Sequence, residues 1–300
     1  MLNGVINVYK EEGFTSNDAV AKLRGILRMR KIGHAGTLDP AAVGVLPVLL
    51  GSACRISEYM TEHTKSYRAS LRLGVTTDTQ DMTGQILSER PYGHLTEEEI
   101  ISCLKSFTGG YEQVPPMYSA KKVDGVRLYD LARQGKEVER SSVFVGITSM
   151  EIEEISLPYV TFSVECSKGT YIRTLCHDAG QRLGTGGAME KLIRTRVGDF
   201  RIEEALTLSE IEKARDAGAL GKYIIPTGDA LGDLPSLRAD ERTEKLIRNG
   251  NPVAARALSY ASLTDGEKVR LYLPDGSFAG LYRYEASERR LKPLKMLFDL

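Results

Sequence analysis

In several segments of the chain, hydrophobic residues recur every three or four positions, which is the spacing of an α-helix. Val20, Leu23 and Leu27 recur at the interval that places side chains on one face of a helix, and residues 15–18 ahead of them are polar N-cap candidates. The pattern predicts a helix that continues to about residue 29. Further helices are predicted where similar spacing follows a capping box or a strand, namely after Thr96, at 171–183 and after Thr207.

Other segments alternate apolar and polar positions, which predicts half-buried strands at residues 4–9, 66–75 and 160–166. Residues 43–50 are almost continuously apolar, which fits a buried strand or the start of a helix, because periodicity does not separate the two. Asp124-Gly125 predicts a hairpin turn. Helical and strand spacing together predict an α+β fold.

A change of pattern near residue 233 predicts a domain boundary, because the segment 232–235 (GDLP) breaks the preceding periodicity. A short helix at about 241–248, stopped by Gly250, and short strands with turns at 264–266 and 274–276 follow it. We therefore predict a larger domain at residues 1–233 and a small β-rich module at residues 234–300.

Composition describes an ordinary globular protein, with 42% apolar residues and 40 basic side chains balanced by 40 acidic ones. The four cysteines form no CxxC pair and show no metal-ligand spacing, so we expect reduced, buried thiols and no metal site. No segment has the apolar length of a membrane span, and the first residues do not resemble a signal peptide. These features predict a cytoplasmic protein.

Positive charge is concentrated locally even though the net charge is zero. Lys22, Arg24, Arg28, Arg30 and Lys31 lie within ten residues that contain no acid. The helical spacing directs Arg24, Arg28 and Lys31 away from the buried face, so the basic groups are expected at the surface. Such a surface fits contact with nucleic acid, although a basic run is more often a solvated face alone.

The segment 33–47 is the strongest candidate for chemistry. Its glycines permit tight backbone turns, and Pro40 keeps Asp39 out of helical geometry. A loop of this kind could present Asp39 and His34 to a ligand. It could equally be a turn in which Asp39 caps a helix or bonds its own backbone, and the residues alone leave both possibilities open.

Four segments together resemble one protein family. They are GHAGTLDPAAVGVLPV at 33–48, KSYRASLRLG at 65–74 with TTDTQD at 76–81, VPPMYSAKK at 114–122, and KGTYIRTL at 168–175. In this order they resemble the signature segments of the bacterial tRNA pseudouridine-55 synthases, the TruB family, and the likeness covers most of residues 1–230. The resemblance implies a mixed, largely antiparallel sheet flanked by helices around a catalytic cleft. It also implies that the C-terminal module is a PUA-like RNA-binding domain.

The implied reaction isomerises uridine to pseudouridine at position 55 in the T loop of tRNA. It breaks the N-glycosidic bond, turns the uracil and rejoins it to the sugar through carbon, so it needs no cofactor. It does need an ionised carboxylate beside the sugar–base bond, as nucleophile or as base at the sugar, and a base flipped out of the RNA. The implied partner is the tRNA T arm, with no protein partner required and a monomeric enzyme.

The resemblance also assigns roles to single residues. It implies that Asp39 is the catalytic carboxylate, that Arg173 is its ion-pair partner, and that Tyr67 stacks on the flipped uracil and takes the proton from its C5. Arg can donate two parallel hydrogen bonds to a carboxylate, which Lys cannot. The implied substrate-binding residues are His34, which fills the space that the base leaves, Tyr171 and Leu192, which line the pocket, and Lys10, Gly36 and Thr37. Without the resemblance, Tyr67 and Leu192 would be interpreted as core side chains, and His34 could equally be a functional residue or a satisfied loop histidine.

The chain departs from the family pattern at Glu11, where the family has a proline after the lysine; this puts RNA contact at Lys10 in question but not catalysis. Two other functions stay open. One is an RNA-guided pseudouridine synthase subunit, and the other is a tRNA-binding or tRNA-folding protein whose chemistry is dispensable. A glycosidase-type hydrolase is disfavoured because we identify no second acid in the matched motifs.

Overall fold

A computed structural model describes residues 2–119, 121–123, 125–255 and 263–298, without the side chains of Lys122 and Arg127. Both helices and strands occur along these residues, in agreement with the predicted α+β fold. The helices are α1 (Ser16–Leu27), α2 (Ser57–Met60), α3 (Glu97–Lys105), α4 (Leu128–Arg133), α5 (Ile172–Arg182), α6 (Leu208–Asp216) and α7 (Glu241–Arg248).

The strands divide between the two predicted parts of the chain. Those of the larger part are β1 (Gly4–Lys10), β2 (Ile32–His34), β3 (Val43–Leu50), β4 (Lys65–Leu73), β5 (Val75–Thr77), β6 (Ile86–Glu89), β7 (Tyr111–Gln113), β8 (Lys122–Val123), β9 (Val126–Arg127), β10 (Val143–Val145), β11 (Ile147–Ser156), β12 (Tyr159–Cys166), β13 (Gly187–Val197), β14 (Phe200–Arg201) and β15 (Ile224–Ile225). Those of the C-terminal part are β16 (Ser236–Arg238), β17 (Val253–Ala254), β18 (Lys268–Tyr272), β19 (Phe278–Glu285) and β20 (Arg290–Met296).

One large sheet organises the first part of the chain. Its strands lie in the order β11, β12, β4, β13, β3, β1 and β15, with β2 paired to β3 and β14 paired to β13. Within the described ranges every pair of this sheet is antiparallel except β13 with β3. The predicted mixed, largely antiparallel sheet is confirmed.

Most predicted elements are confirmed, with small shifts at their ends. Helix α1 starts after a capping box at Thr15 and ends at Leu27, two residues early, because Arg28 turns the backbone into the left-handed region. The ambiguous apolar run at 43–50 is strand β3, which is buried between β1 and β13. Strands β8 and β9 flank the predicted hairpin turn, of which Asp124 lies outside the described residues.

The alternation along β4 sends one set of side chains into the largest hydrophobic core. Tyr67, Ala69, Leu71 and Leu73 are buried there together with side chains from α3 and α5. Arg68 and the other alternate residues of β4 face the opposite side of the sheet and are exposed or half-buried. The covered face of the sheet therefore carries the candidate site.

A single glycine allows β3 to approach β13 in the parallel pair. Gly44 has φ +105°, and a Cβ added there would lie 2.3 Å from the carbonyl oxygen of Arg194. No larger residue fits that contact without a shift of one strand. The segment that connects β2 to β3 is thereby brought against β13.

The C-terminal part forms its own five-stranded sheet, in the order β16, β18, β19, β20 and β17, with α7 packed against β17. This small β-rich module is confirmed, although residues 256–262 and 299–300 of it lie outside the described residues. Leu281 and Leu297 share a hydrophobic cluster with Ile56 and Met60, so the module packs directly on the larger part. The boundary at residues 233/234 and the PUA type stay predictions.

The four cysteines are free thiols. Cys166 and Cys176 are buried as expected, whereas Cys54 and Cys103 are only partly buried. Among the described residues, no helix combines the length and apolar character needed to cross a membrane.

Candidate active site

The loop between β2 and β3 places Asp39 close to the N-terminus of α1. The backbone of Leu38 exchanges two hydrogen bonds with the Ser16 hydroxyl, whose Oγ accepts from the Leu38 amide at 2.9 Å. The carbonyl of Pro40 accepts from the amide of Gly13 at 3.0 Å. These bonds tie both sides of Asp39 to the body of the protein, so its carboxylate is held in one place.

Asp39 and Arg173 form a bidentate ion pair. Nε of Arg173 lies 2.9 Å from Oδ2 of Asp39, and Nη2 donates to Oδ1 at 3.2 Å. The arrangement settles the choice left open by the loop sequence, because the Asp39 side chain bonds a guanidinium from α5 rather than a helix end. The Asp39 side chain remains 37% exposed, so a substrate can reach the carboxylate.

The charge on Asp39 results from opposing effects. Burial by the surrounding protein raises the pKa of Asp39, and the neighbouring carboxylate of Asp81 raises it further. Arg173 opposes both through its charge and its hydrogen bond. The pKa of Asp39 is raised on balance, and the guanidinium is the largest influence that favours the ionised carboxylate.

Arg173 is itself held by four groups from three segments. Its side chain is 5% exposed, and besides Asp39 it donates to the carbonyl of Thr79 at 3.1 Å and to the carbonyl of Tyr118 at 2.8 Å. The Asp81 carboxylate lies 3.7 Å from Nε. A guanidinium with these partners has little freedom to rotate, which fixes the orientation of the ion pair.

Asp81 is a second acid that the sequence analysis missed. The expectation of no second acid in the matched motifs is wrong, since Asp81 ends the TTDTQD segment. Its side chain is 10% exposed, and its Oδ1 accepts hydrogen bonds from Thr79 and from both the amide and the hydroxyl of Thr83. Because Asp81 is committed to these donors and to Arg173, it is not placed as the free general acid that a glycosidase requires.

Apolar and aromatic side chains cover the wall beside the ion pair. Tyr67 on β4 and Leu192 on β13 belong to one buried cluster with Leu38 and Ile172, which flank Asp39 and Arg173 in sequence. Tyr171 is half-buried at the N-cap position of α5. The structure thus brings together the residues predicted for catalysis and for the base pocket.

Arg194 is a buried cation that the sequence analysis did not single out. It is 1% exposed, and its guanidinium donates to the carbonyls of Val45, Gly36 and Thr37 at 2.7, 3.2 and 3.3 Å. It is also the cross-strand partner of Tyr67. The signal was present in the alternation, because Arg194 follows Leu192 by two positions and so shares its buried face.

Tyr67 and His34 both respond to burial and to Arg194. Burial raises the pKa of the Tyr67 phenol, and the charge of Arg194 lowers it in part. Burial and Arg194 together lower the pKa of His34, which favours the neutral imidazole. Nδ1 of His34 is buried without a hydrogen-bond partner among the described residues.

Three predicted substrate-binding residues have a structural explanation. Gly36 and Thr37 direct their carbonyls at Arg194, while the Thr37 side chain is exposed. Lys10 differs from the prediction of an RNA contact. It is 1% exposed, and its ammonium donates to the carbonyls of Glu11, Phe14 and Pro40 at 3.0, 2.6 and 3.1 Å. An ammonium has three N–H donors, so Lys10 has none left for RNA and instead fixes the two loops beside Asp39.

Within the described ranges, no group of three or more His, Cys, Asp or Glu side chains is arranged to hold a metal ion. The polar side chains of the site are the Asp39–Arg173 pair, the Tyr67 phenol and the His34 imidazole. They can stabilise charge at a bound base and sugar, and they can accept or donate protons there.

An α+β fold with an Asp–Arg pair, from a loop and a helix, beside a buried tyrosine of the main sheet fits the class of pseudouridylate synthases that the sequence motifs indicate. Two family models match consecutively: the TruB family pseudouridylate synthase N-terminal domain at residues 24–172, and the tRNA pseudouridylate synthase B C-terminal domain at residues 173–232. The chain belongs to the TruB family of pseudouridylate synthases.

Curated relatives support this membership over nearly the whole length. The tRNA pseudouridine synthase B of Clostridium perfringens is 44% identical over 299 residues, which cover 99% of this chain and 100% of the relative. That of Clostridium tetani is 44% identical and covers 93% and 95%. That of Bacillus pumilus is 39% identical and covers 99% and 98%.

Solved structures share the fold at lower identity. The chain matches one from a Cbf5-Nop10-Gar1 complex with a TM-score of 0.79 at 27% identity, over 98% of this chain and 85% of the other. It matches one from an H/ACA RNP bound to a substrate RNA containing 2'-deoxyuridine with a TM-score of 0.78 at 26% identity, over the same shares.

Proposed function

We propose that this protein isomerises uridine to pseudouridine at position 55 in the T loop of tRNA. The observation that carries the proposal is the bidentate Asp39–Arg173 pair beside Tyr67, in a chain of the TruB family. Nearly full-length similarity to enzymes named tRNA pseudouridine synthase B supports tRNA as the substrate.

The reaction exchanges two bonds at one base. The N1–C1′ bond breaks, the uracil turns, and a C5–C1′ bond forms. The proton on C5 is lost and N1 gains a proton, so the product is an isomer of the substrate. The ionised Asp39 carboxylate acts at the sugar–base bond, as nucleophile or as base at the sugar, and Arg173 favours that ionised form before the base arrives.

The wall beside the pair fits a flipped base. Extrusion of a base from RNA costs roughly a few kcal/mol, which stacking and pocket contacts offset. Tyr67 supplies a ring for stacking and a phenol near the C5 proton, and Leu192 and Tyr171 supply further surface. His34, neutral and with an Nδ1 that has no hydrogen-bond partner among the described residues, is the side chain we assign to the space that the base leaves.

The surface around α1 fits contact with the tRNA T arm. Lys22, Arg24, Arg28, Arg30 and Lys31 are all exposed, as was predicted for Arg24, Arg28 and Lys31. Phosphate contacts by such residues make RNA affinity fall as salt rises. We extend the RNA contact to the PUA-like C-terminal module, and we place the protein in the cytoplasm, where its tRNA substrate is found.

RNA-guided activity is the second candidate, because the chain shares its fold with proteins of H/ACA complexes. The identity to those proteins is 26–27%, against 39–48% for the tRNA synthases. The higher identity to the tRNA synthases supports an enzyme that acts without a guide RNA, and our proposal takes it to be a monomer that needs no protein partner. A tRNA-folding role is compatible with the same surface and does not replace the chemistry.

The test uses an unmodified tRNA transcript labelled with tritium at C5 of uridine. Formation of the C5–C1′ bond releases the label, so the purified native chain should release tritium from the T-loop uridine. Asp39→Asn should bind the transcript with similar affinity and release none, because the amide carries no charge. A transcript whose position 55 is cytidine is the substrate control.

Each outcome separates the candidates. Release by native protein alone supports the proposal. Binding without release by either protein would exclude unguided catalysis and favour a guided or folding role. Equal release by native protein and Asp39→Asn would show that Asp39 is not the catalytic carboxylate.

A further inference from the structure

Gln113, at the end of β7, makes a paired contact with the backbone of Tyr171. Its Oε1 accepts from the amide of Tyr171 at 2.8 Å, and its Nε2 donates to the carbonyl of the same residue at 3.0 Å. The Gln113 side chain is 2% exposed. A buried amide that satisfies both backbone groups of one residue determines where that residue lies.

This contact holds the backbone of the residue that starts α5. Tyr171 is the N-cap residue, yet its side chain makes no cap hydrogen bond among the described residues, and its backbone is extended. The Tyr171 carbonyl also accepts the first helical hydrogen bond, from the amide of Leu175 at 3.0 Å. Gln113 therefore sets both the position and the direction of the first turn of α5.

The same turn carries Arg173, two residues beyond Tyr171. The guanidinium of Arg173 in turn donates to the carbonyl of Tyr118, five residues beyond Gln113. One short segment, residues 113–118, thus holds Arg173 at both ends: through Gln113 at the backbone and through Tyr118 at the side chain.

A second set of contacts fixes Gln113 in this orientation. Its Nε2 also donates to the hydroxyl of Tyr111 at 2.6 Å, and that hydroxyl donates to Oδ2 of Asp178 on α5 at 3.1 Å. The Tyr111 ring packs edge-on against Phe107, which Arg182 of α5 covers at 3.8 Å. Strand β7 is therefore hydrogen-bonded to α5 at positions two helical turns apart.

We propose that Gln113 is a positioning residue for the Asp39–Arg173 pair and for Tyr171. The inference rests on the proposed function, since it assigns a role within that site. Gln113 touches neither the reacting atoms nor Asp39; it acts through the backbone of the first turn of α5. Its loss would leave the carboxylate and the guanidinium present but misaligned, and small misplacements of reacting groups cost far more in rate than in affinity.

Gln113→Met tests this with little change in side-chain volume, because it removes both amide groups from Tyr171. The expected result is a single-turnover rate of tritium release that falls about tenfold or more, while the dissociation constant for tRNA changes less than about twofold. Gln181→Met is the matched control, because Gln181 is exposed on α5, and its rate should equal that of the native chain.

The pH dependence distinguishes positioning from a structural cap. Asp39 is faced by Arg173, Asp81, Lys10, Arg194 and Tyr67, and of these only Arg173 lies on the helical turn whose backbone Gln113 holds at Tyr171. Loosening Arg173 raises the pKa of Asp39, so the acidic limb of the rate profile should move to higher pH in Gln113→Met. If the urea midpoint falls while the rate of the folded protein and the acidic limb stay unchanged, Gln113 is only a structural cap and the proposal is wrong.

Tyr111→Phe provides a milder variant in case Gln113→Met does not fold. It removes the hydroxyl that orients Gln113 and keeps the ring, so the rate should fall about twofold to fivefold in folded protein. An unchanged rate in this variant would overturn the inference. Asp39→Asn in the same assay distinguishes the failure of the two proposals. Tritium release by Asp39→Asn would contradict the proposed function. If Asp39→Asn releases no tritium while Gln113→Met is fully active, only the role of Gln113 is wrong.

Discussion

Two buried arginines bind the loop that carries Asp39, and they bind different kinds of group in it. Arg194, on β13, donates to three backbone carbonyls, two of them in the loop. Arg173, on α5, binds the carboxylate of Asp39 and lies near that of Asp81. One arginine holds the shape of the loop, and the other holds the charge of the residue that the loop presents.

The two arginines therefore have different effects: Arg194 mainly stabilises the fold, and Arg173 mainly supports the chemistry. Backbone carbonyls are present whether or not a substrate is bound, so these bonds of Arg194 stabilise the loop in every state of the enzyme, although its charge also lowers the pKa of Tyr67 in part. A carboxylate can change its charge, so the bonds of Arg173 determine the ionisation of Asp39. Substitution of Arg194 should therefore affect mainly the free energy of unfolding, and substitution of Arg173 mainly the rate.

Among these substitutions, Arg194→Met should have the largest effect, which is a loss of stability. It leaves the buried carbonyls of Gly36, Thr37 and Val45 without their donor, and we expect the free energy of unfolding to fall by about 3 to 5 kcal/mol. Urea unfolding monitored by circular dichroism measures the loss. The carbonyls cannot turn to solvent without moving the loop, so any folded remainder should also lose activity.

Arg196→Met is the matched control, two residues further along β13. Arg196 pairs with Glu165 at 2.7 Å, and both side chains are about one-third exposed. A half-exposed ion pair contributes at most about 1 kcal/mol, so the loss should be correspondingly small. Equal losses for the two variants would show that Arg194 does not hold the loop.

Arg173→Lys should have the next largest effect and should appear in the rate. A lysine keeps the charge but cannot donate to both Asp39 oxygens and to the Tyr118 carbonyl, so the rate of tritium release should fall about 10²- to 10³-fold. Unfolding free energy and tRNA affinity should change far less. Arg182→Lys, at the exposed end of the same helix, should retain nearly full activity. A large loss of stability with little loss of rate in Arg173→Lys would reverse the assignment of the two arginines.

The contrast also explains what the sequence could predict. Periodicity located α1, β4 and β12 because each buries one face against a hydrophobic core, β4 and β12 against one cluster and α1 against another. The resemblance to the TruB family selected Asp39 and Arg173, and their side chains are in contact in the structure. Asp39 and Arg173 could be selected because both lie in motifs that match the family.

The supporting residues were harder to predict. Arg194 lies in a strand whose alternation implied burial, but a charged residue there is normally assigned to the surface. Gln113 bonds the backbone of a residue 58 positions away, and no local pattern encodes such a partner. Lys10 was misassigned for the same reason: its acceptor at Pro40 lies 30 positions away and becomes adjacent only when β1 pairs with β3.

Lys10 offers the smallest and most selective test, because it belongs with Arg194 as a cation bonded to backbone carbonyls. Burial lowers the pKa of Lys10 from 10.5 to about 8. Between these values the unfolded chain binds more protons at this position than the folded chain, so the contribution of Lys10 to stability rises with pH. The rise has an upper limit of about 1.4 kcal/mol per pH unit.

The measurement is the difference in unfolding free energy between the native chain and Lys10→Met, taken at about pH 7.5 and about pH 9.5 to span most of that window. Subtracting the variant cancels the cysteines and tyrosines, whose raised pKa values act in the opposite direction. The unfolding free energy of the native chain should increase relative to that of Lys10→Met as the pH rises. A difference that does not change with pH would mean that the ammonium is solvated like a surface lysine, and Lys10 would then be available to RNA as the sequence first suggested.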